Sequence, residues 1–173
     1  MELSIFSLNM WLLPRPFSME NKLRLDKLMD LLNDIKPDFV TLQEVWLNKD
    51  LNYLKNNLKD YYPATSRVGL FNRSGLLTLS KFKPHSTSHD RYNVTKKLNL
   101  VEKIAQKGYL TTKFKLNGKK ITVINTHIYN PVLTSEKNVS IKQFEELKEI
   151  TKKEDNVIIG GDLNIGFDDF LNE

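Results

Sequence analysis

The 173-residue chain suggests one domain and suffices for a single packed core. Its 40% hydrophobic and 27% charged content excludes general disorder, the lack of cysteine excludes disulfides and thiolate zinc sites, and no apolar run approaches a membrane-spanning length. The net charge of +5 is spread along the chain and suits an anionic partner such as a phosphate ester or nucleic acid, or equally a solvated basic surface.

The first predicted element is a strand, Leu3 to Leu8, apolar on both faces and ending at Asn9. A loop with Pro14 and Pro16 follows. Ser18 is a candidate N-cap for a helix whose Leu25, Leu28, Leu32 and Ile35 repeat at helical spacing until Pro37 stops it. Asp38 to Leu42 reads as a second strand delivering Gln43 and Glu44 at its end. Asn48 can cap a helix with Leu51, Leu54 and Leu58 on one face. Ser74 to Ser80 and Lys81 to His89 read as strands. Gly108 to Leu116 and Lys119 to His127 flank Asn117-Gly118, a strong hairpin signal because both turn residues must accept positive φ. A helix is expected from near Ser135, with Phe144, Leu147 and Ile150 inward. Asn156 to Gly160 reads as a buried strand entering Gly161-Asp162-Leu163-Asn164. This order implies a mixed α/β sandwich with helices outside packed sheets.

Four strand ends thus carry polar residues: Asn9, Glu44, Asn125-Thr126-His127, and Asp162 with Asn164. Loops at strand ends are where rigid scaffolds hold functional groups, although polar residues end strands for structural reasons too. A carboxylate such as Glu44 beside neutral or water ligands suits Mg²⁺. Asp162 and Asn164, two apart, would project from one face of an extended segment and could orient a water and hold a phosphate oxygen. They could also form an ordinary Asx-rich turn. His127 could donate a hydrogen bond to phosphate or move protons.

These residues resemble the motifs of the endonuclease/exonuclease/phosphatase superfamily, the DNase-I-like enzymes. Leu42-Gln43-Glu44-Val45 is similar to its LQE motif, Asn9 to its early asparagine, Asn125-Thr126-His127 to its NTH motif, and Gly161-Asp162-Leu163-Asn164 to its GDLN motif. Gly75-Leu76-Leu77-Thr78-Leu79-Ser80 matches a strand found between them, and the order agrees across residues 1–173. The resemblance implies a DNase-I-like fold: an α/β (α+β) four-layer sandwich of two mostly antiparallel sheets with outer helices. It implies a catalytic set of Asn9, Glu44, His127, Asp162 and Asn164. Glu44 would bind Mg²⁺ (Mn²⁺ being the other candidate) with Asn9 nearby, His127 would stabilise the scissile phosphate, Asp162 would orient or activate water, and Asn164 would bind phosphate or a metal-bound water. The implied reaction is in-line attack of water on phosphorus.

The family pattern continues past GDLN to another acidic residue and a final histidine in an SDH-type motif, whereas this sequence runs to Glu173. The expectation is therefore an N-terminal portion of the domain, incomplete at the C-terminus, with an unpaired sheet edge and activity reduced by roughly 10²–10⁴ for want of that acid–base group.

Two function classes compete. The first is a Mg²⁺-dependent hydrolase of phosphoric esters, its substrate a nucleic acid or a phospholipid head group such as sphingomyelin. The LQEVW wording and the apolar loop after Asn9 look like the sphingomyelinase-like branch, and the basic charge is compatible with a nuclease. The second is a catalytically dead binding protein keeping the scaffold and anion site. Met10-Trp11-Leu12-Leu13 reads as core, or as an exposed apolar loop touching substrate or making peripheral membrane contact. His85 and His89 share a strand face but lack further ligands for a metal site. The Lys96-Lys97 and Lys119-Lys120 pairs read as solvated. A monomer is expected. With no basic leader at Met1-Glu2-Leu3, cytoplasmic location is the default, secretion staying open.

Overall fold

The computed structural model describes residues 2–66, 74–94, 108–130 and 138–165. Along them run β1 (Ile5–Leu12), α1 (Asn21–Ile35), β2 (Phe39–Val45), α2 (Asn48–Asn57), β3 (Tyr62–Thr65), β4 (Leu77–Ser80), β5 (Ser86–Asp90), β6 (Tyr109–Leu116), β7 (Lys119–His127), α3 (Asn138–Thr151) and β8 (Val157–Asp162). The strands form two sheets, ordered β1-β2-β4-β3 and β5-β6-β7-β8. β1 runs parallel to β2 and β7 parallel to β8, while every other neighbouring pair is antiparallel. The sheets are mostly antiparallel, as the motifs implied.

Side-chain alternation builds the layers. Val40 and Leu42 of β2, with Met10 and Leu12 of β1, pack against Leu25, Leu28 and Leu32 of α1 and Leu51 and Leu54 of α2. The intervening Phe39 turns the other way and joins Phe114, Ile121 and Val123 between the sheets. The Phe39 and Phe114 rings lie 5.1 Å apart, a contact favourable beyond the area it buries. On the far face of the second sheet, Ile124 and Ile128 pack with Leu147, Phe144 and Ile150 of α3. The result is four layers: α1 and α2, sheet, sheet, α3. One position demands a missing side chain. A Cβ on Gly160 would penetrate Thr41 Oγ1 and lie 3.1 Å from Thr41 Cγ2 and 3.2 Å from Ile5 Cδ1, so glycine lets β8 approach β1 and β2.

The predicted hairpin is present: β6 and β7 pair from Tyr109↔Thr126 to Leu116↔Lys119, with φ of 50° at Asn117 and 77° at Gly118. Other elements differ from expectation. β1 continues past Asn9 to Leu12, and β2 includes Gln43 and Glu44. Ser18 does not cap α1; Glu20 precedes it in a left-handed conformation without a side-chain cap, and Ser18 is buried in the loop instead. Ile35, expected inward, is 50% exposed at the helix end. α2 starts at Asn48 itself, after Leu47. β4 and β5 are shorter than the runs read for them, and β3, unread in the sequence, pairs with β4 at the sheet edge. The helix start near Ser135 and the Lys96-Lys97 pair lie outside the described residues; Lys119 and Lys120 are exposed. Among the described residues no helix is long and apolar enough to cross a membrane.

Candidate active site

The polar strand ends converge because of two irregularities in otherwise regular strands. β1 and β2 keep register up to Asn9↔Gln43, then resume at Leu12↔Val45, so β1 carries one extra residue. That is a bulge, a device that re-aims side chains. Glu44 sits at φ 59° and Trp11 at φ 48°. In an uninterrupted strand Glu44 would follow Val40 and Leu42 toward the helices. The left-handed residue breaks that alternation: Val45 takes the helix-facing place and the Glu44 carboxylate reaches Asn9. Holding a glutamate there costs on the order of 1–3 kcal/mol, strain characteristic of functional positions.

The second sheet supplies the rest without irregularity. Ile121, Val123, Asn125 and His127 alternate toward the first sheet, and the parallel register sets His127 opposite Asp162. Asn9 Nδ2 donates to Glu44 Oε1 at 2.9 Å and to Asp162 Oδ2 at 2.8 Å. One amide thus joins a carboxylate from each sheet. His127 Nε2 lies 4.0 Å from Glu44 Oε1 and 3.7 Å from Asp162 Oδ2, close enough for electrostatic coupling and too far for a direct hydrogen bond. The His127 side chain is 2% exposed, while Glu44 and Asp162 keep 16% and 28%, so the two acids form a solvent-facing rim over a buried imidazole.

Asn9, Glu44, His127 and Asp162, all singled out from the sequence, are thus brought together. Asn164 joins them through the Asx-turn alternative rather than by sharing an extended face with Asp162. It lies beyond β8 at φ 49°, not in an extended segment sharing a face with Asp162. Its backbone N–H donates to Asp162 Oδ1 at 3.1 Å and its Nδ2 to Ile128 O at 2.9 Å. Asn164 therefore braces the Asp162 carboxylate in an Asx-type turn.

Gln43 and Asn125, named from the sequence only as parts of motifs and given no role of their own, hold the two halves together. Gln43 Nε2 donates to Asn125 Oδ1 at 2.8 Å, and Asn125 Nδ2 donates to Leu42 O at 3.1 Å and Leu77 O at 3.0 Å. Both side chains are fully buried between the sheets. They precede Glu44 and His127 by one and two residues, so this bridge sets the separation of those groups. The available signal was two amides at inward positions of apolar strands. Behind His127, burial pushes the Tyr92 phenol far above the usual tyrosine range. It stays protonated and meets Thr126 Oγ1 at 2.6 Å, and Thr126 Oγ1 in turn donates to Gly108 O at 3.0 Å.

His85 stands directly before β5, exposed, its backbone N–H donating to Lys113 O at 2.7 Å, and His89 is half-buried within β5. Among the described residues no three histidine, aspartate or glutamate side chains are gathered to enclose a metal by themselves.

The Endonuclease/Exonuclease/phosphatase family matches residues 6–171. The chain belongs to this family. Among its relatives, human sphingomyelin phosphodiesterase 2 is 28% identical over 178 residues, covering 95% of this chain and 41% of the relative. Sphingomyelinase C of Bacillus cereus is 28% identical over 152 residues, covering 74% and 46%. This member of the endonuclease/exonuclease/phosphatase family therefore spans less than half the length of those two curated relatives. A crystal structure of Staphylococcus aureus beta toxin with bound magnesium ions superimposes with a TM-score of 0.77 at 22% identity, covering 99% of this chain and 70% of the toxin chain. That likeness establishes the DNase-I-like fold.

Proposed function

We propose that this protein is a divalent-metal-dependent phosphodiesterase acting on phospholipids with a sphingomyelin-type phosphodiester head group. The single observation that carries the hydrolase assignment is the Asn9 amide joining Glu44 of one sheet to Asp162 of the other beside His127. The names of the sphingomyelin-cleaving relatives support the substrate class.

The donor set fits a hard cation. Two carboxylate oxygens converge on one amide nitrogen at a solvent-facing rim, and Mg²⁺ and Mn²⁺ take oxygen ligands, Mg²⁺ typically from one or two carboxylates with water and substrate oxygens completing the shell. Glu44 would hold the ion, with Asn9 beside it. When bound, the ion supplies positive charge that offsets negative charge developing on the phosphoryl oxygens.

The remaining work falls to the chain. Asp162, braced by Asn164, accepts a hydrogen bond from the attacking water and aligns it for in-line displacement at phosphorus: the bond to the water oxygen forms as the P–O bond to the lipid alcohol breaks, and a proton of the water ends on the released alcohol oxygen. The His127 imidazole donates to a non-bridging phosphate oxygen, a bond that strengthens as that oxygen gains charge. Asn9 fixes the spacing of the two carboxylates. The buried amide bridge behind them limits reorganisation, which is how preorganised polar groups lower a barrier.

The test is hydrolysis of sphingomyelin in mixed micelles and of single- and double-stranded DNA, with Mg²⁺ and with EDTA. The wild-type protein is expected to cleave the phospholipid only with the ion. His127→Ala is expected to lose roughly 10²–10³ in kcat, and Glu44→Ala and Asp162→Ala at least as much. Undiminished turnover by Glu44→Ala would overturn the assignment. Preference for DNA would redirect the substrate class to nucleic acid, and phosphodiester binding without turnover would make the protein an anion-binding relative.

A further inference from the structure

The loop between β1 and α1 reverses the usual disposition of polar and apolar side chains. Ser18 is 3% exposed, while its neighbours Phe17 and Met19 are each 72% exposed. Trp11 and Leu23, at the two ends of the same connection, are 55% and 51% exposed. Single exposed apolar residues are ordinary, but four within thirteen residues on one connection form a feature that needs a cover.

The exposure is built in. Ser18 Oγ lies 2.8 Å from Trp11 O and 2.7 Å from Asn21 Oδ1, and Asn21 Nδ2 donates to Leu13 O at 3.0 Å. Arg24 reaches in from α1 to donate to Trp11 O at 3.1 Å and Asn21 Oδ1 at 2.7 Å, and it also contacts Ser18 Oγ. Its guanidinium sits 5.3 Å from the Trp11 ring centroid, supporting the indole from below. A turn closes between Phe17 N and Pro14 O at 3.0 Å. The polar groups are thus consumed in an internal clamp that pins the backbone and leaves the apolar groups outward. The loop is also tied to the candidate site, because the Trp11 N–H donates to Asn9 Oδ1 at 3.0 Å.

We infer that this loop docks on the surface of a lipid bilayer carrying anionic head groups, with Trp11, Phe17, Met19 and Leu23 entering the interface. The inference rests on the phospholipid assignment above, since a bilayer then supplies both the substrate and the cover. Charge adds a contact for the same occupant: Arg15 is exposed among the apolar residues, whereas Lys22 pairs with Asp26 and Arg24 is held in the clamp. Indole and phenyl rings flanked by basic side chains are the composition that settles at a head-group boundary. Seated this way, the loop would bring Asn9 and the two carboxylates to the height of the lipid phosphate.

The test uses the Trp46→Phe background, which leaves Trp11 as the sole tryptophan. The probes are phosphatidylcholine vesicles with and without a minority of phosphatidylserine, and the same vesicles with brominated acyl chains. Trp11 emission is expected to shift blue on binding and to be quenched by the brominated lipid. Phe17→Ser/Met19→Ser, at two exposed positions, is expected to weaken partitioning at least about tenfold while keeping the native circular dichroism spectrum. The same variant should retain turnover of a soluble short-chain phosphodiester. Arg15→Gln should lower binding only where phosphatidylserine is present. Unchanged partitioning of the double variant, or emission that ignores brominated lipid, overturns the inference. So does concentration-dependent dimerisation that the double variant abolishes, since a second copy would then cover the loop. Vesicle binding by a protein that cleaves nothing would sustain the docking surface and remove the enzyme assignment. Cleavage of the soluble ester by a protein that ignores vesicles would do the reverse.

Discussion

Removing the Asn9 amide isolates the interaction on which the site is built. Asn9→Ala deletes the two hydrogen bonds to Glu44 and Asp162 and leaves their facing oxygens without the group that separates them. With the oxygens ~5 Å apart and an effective dielectric of about 20, their repulsion is roughly 3 kcal/mol. Hydrogen bonds to charged groups contribute about 1.5–3 kcal/mol each when well buried, but both carboxylates retain solvent contact, at 16% and 28% exposure, which lowers both terms. A net destabilisation of roughly 2–3 kcal/mol follows, or about 5–10 °C in Tm for a chain of this size. Thermal unfolding followed by circular dichroism in EDTA measures it. In Mg²⁺ the deficit should narrow, because an ion held by Glu44 would supply positive charge that offsets the repulsion the amide no longer relieves. A variant melting with the wild type in EDTA would show that the carboxylates are not held against one another. An equal deficit in EDTA and Mg²⁺ would remove the ion from this focus.

Three further outcomes test the scaffold. Gly160→Ala forces a methyl group into Thr41 and should destabilise by about 1–3 kcal/mol; Thr41→Ala in the same chain should recover much of the loss in urea unfolding, and no recovery would place the strain elsewhere. Asn125→Ala strands the Leu42 and Leu77 carbonyls and the Gln43 amide in the core, which should reduce stability by about 3 kcal/mol and lower turnover with it; a loss within measurement error would mean the bridge is dispensable. Burial raises the Asp50 carboxyl above its ordinary range, against a smaller opposing pull from Lys49. A raised folded-state pKa contributes stability at acid pH that is lost as pH rises through it. Asp50→Asn should therefore melt higher than wild type near neutrality and converge with it in acid, with loss of the helix N-terminal charge offsetting part of the gain; a variant less stable at neutral pH would refute this.

Much of the fold was legible because apolar periodicity and turn chemistry are local. The leucines of α1 and α2 and the Asn117-Gly118 hairpin needed no knowledge of neighbours. The misreadings share a cause in tertiary context. Ser18 has the chemistry of an N-cap, but Arg24 and Asn21 recruit it into the loop clamp. Ile35 keeps the helical period yet falls where no neighbour covers the end of α1. The run Met10 to Leu13 split: Met10 and Leu12 entered the core and Trp11 did not, because a bulge with a left-handed Trp11 interrupts the strand there.

Sequence alone determined which side chains could form the site, since Asn9, Glu44, His127 and Asp162 stand at the ends of apolar runs and their chemical types limit what they can bind. It could not determine that these groups meet. That required the bulge in β1 after Asn9 with the left-handed Glu44 opposite it, the Gln43–Asn125 bridge between sheets, and a glycine at position 160 thin enough to let β8 close on β1 and β2. Contacts between residues more than 150 positions apart, such as Asn9 with Asp162, have no local signature, because only packing of the two sheets brings them within hydrogen-bond reach.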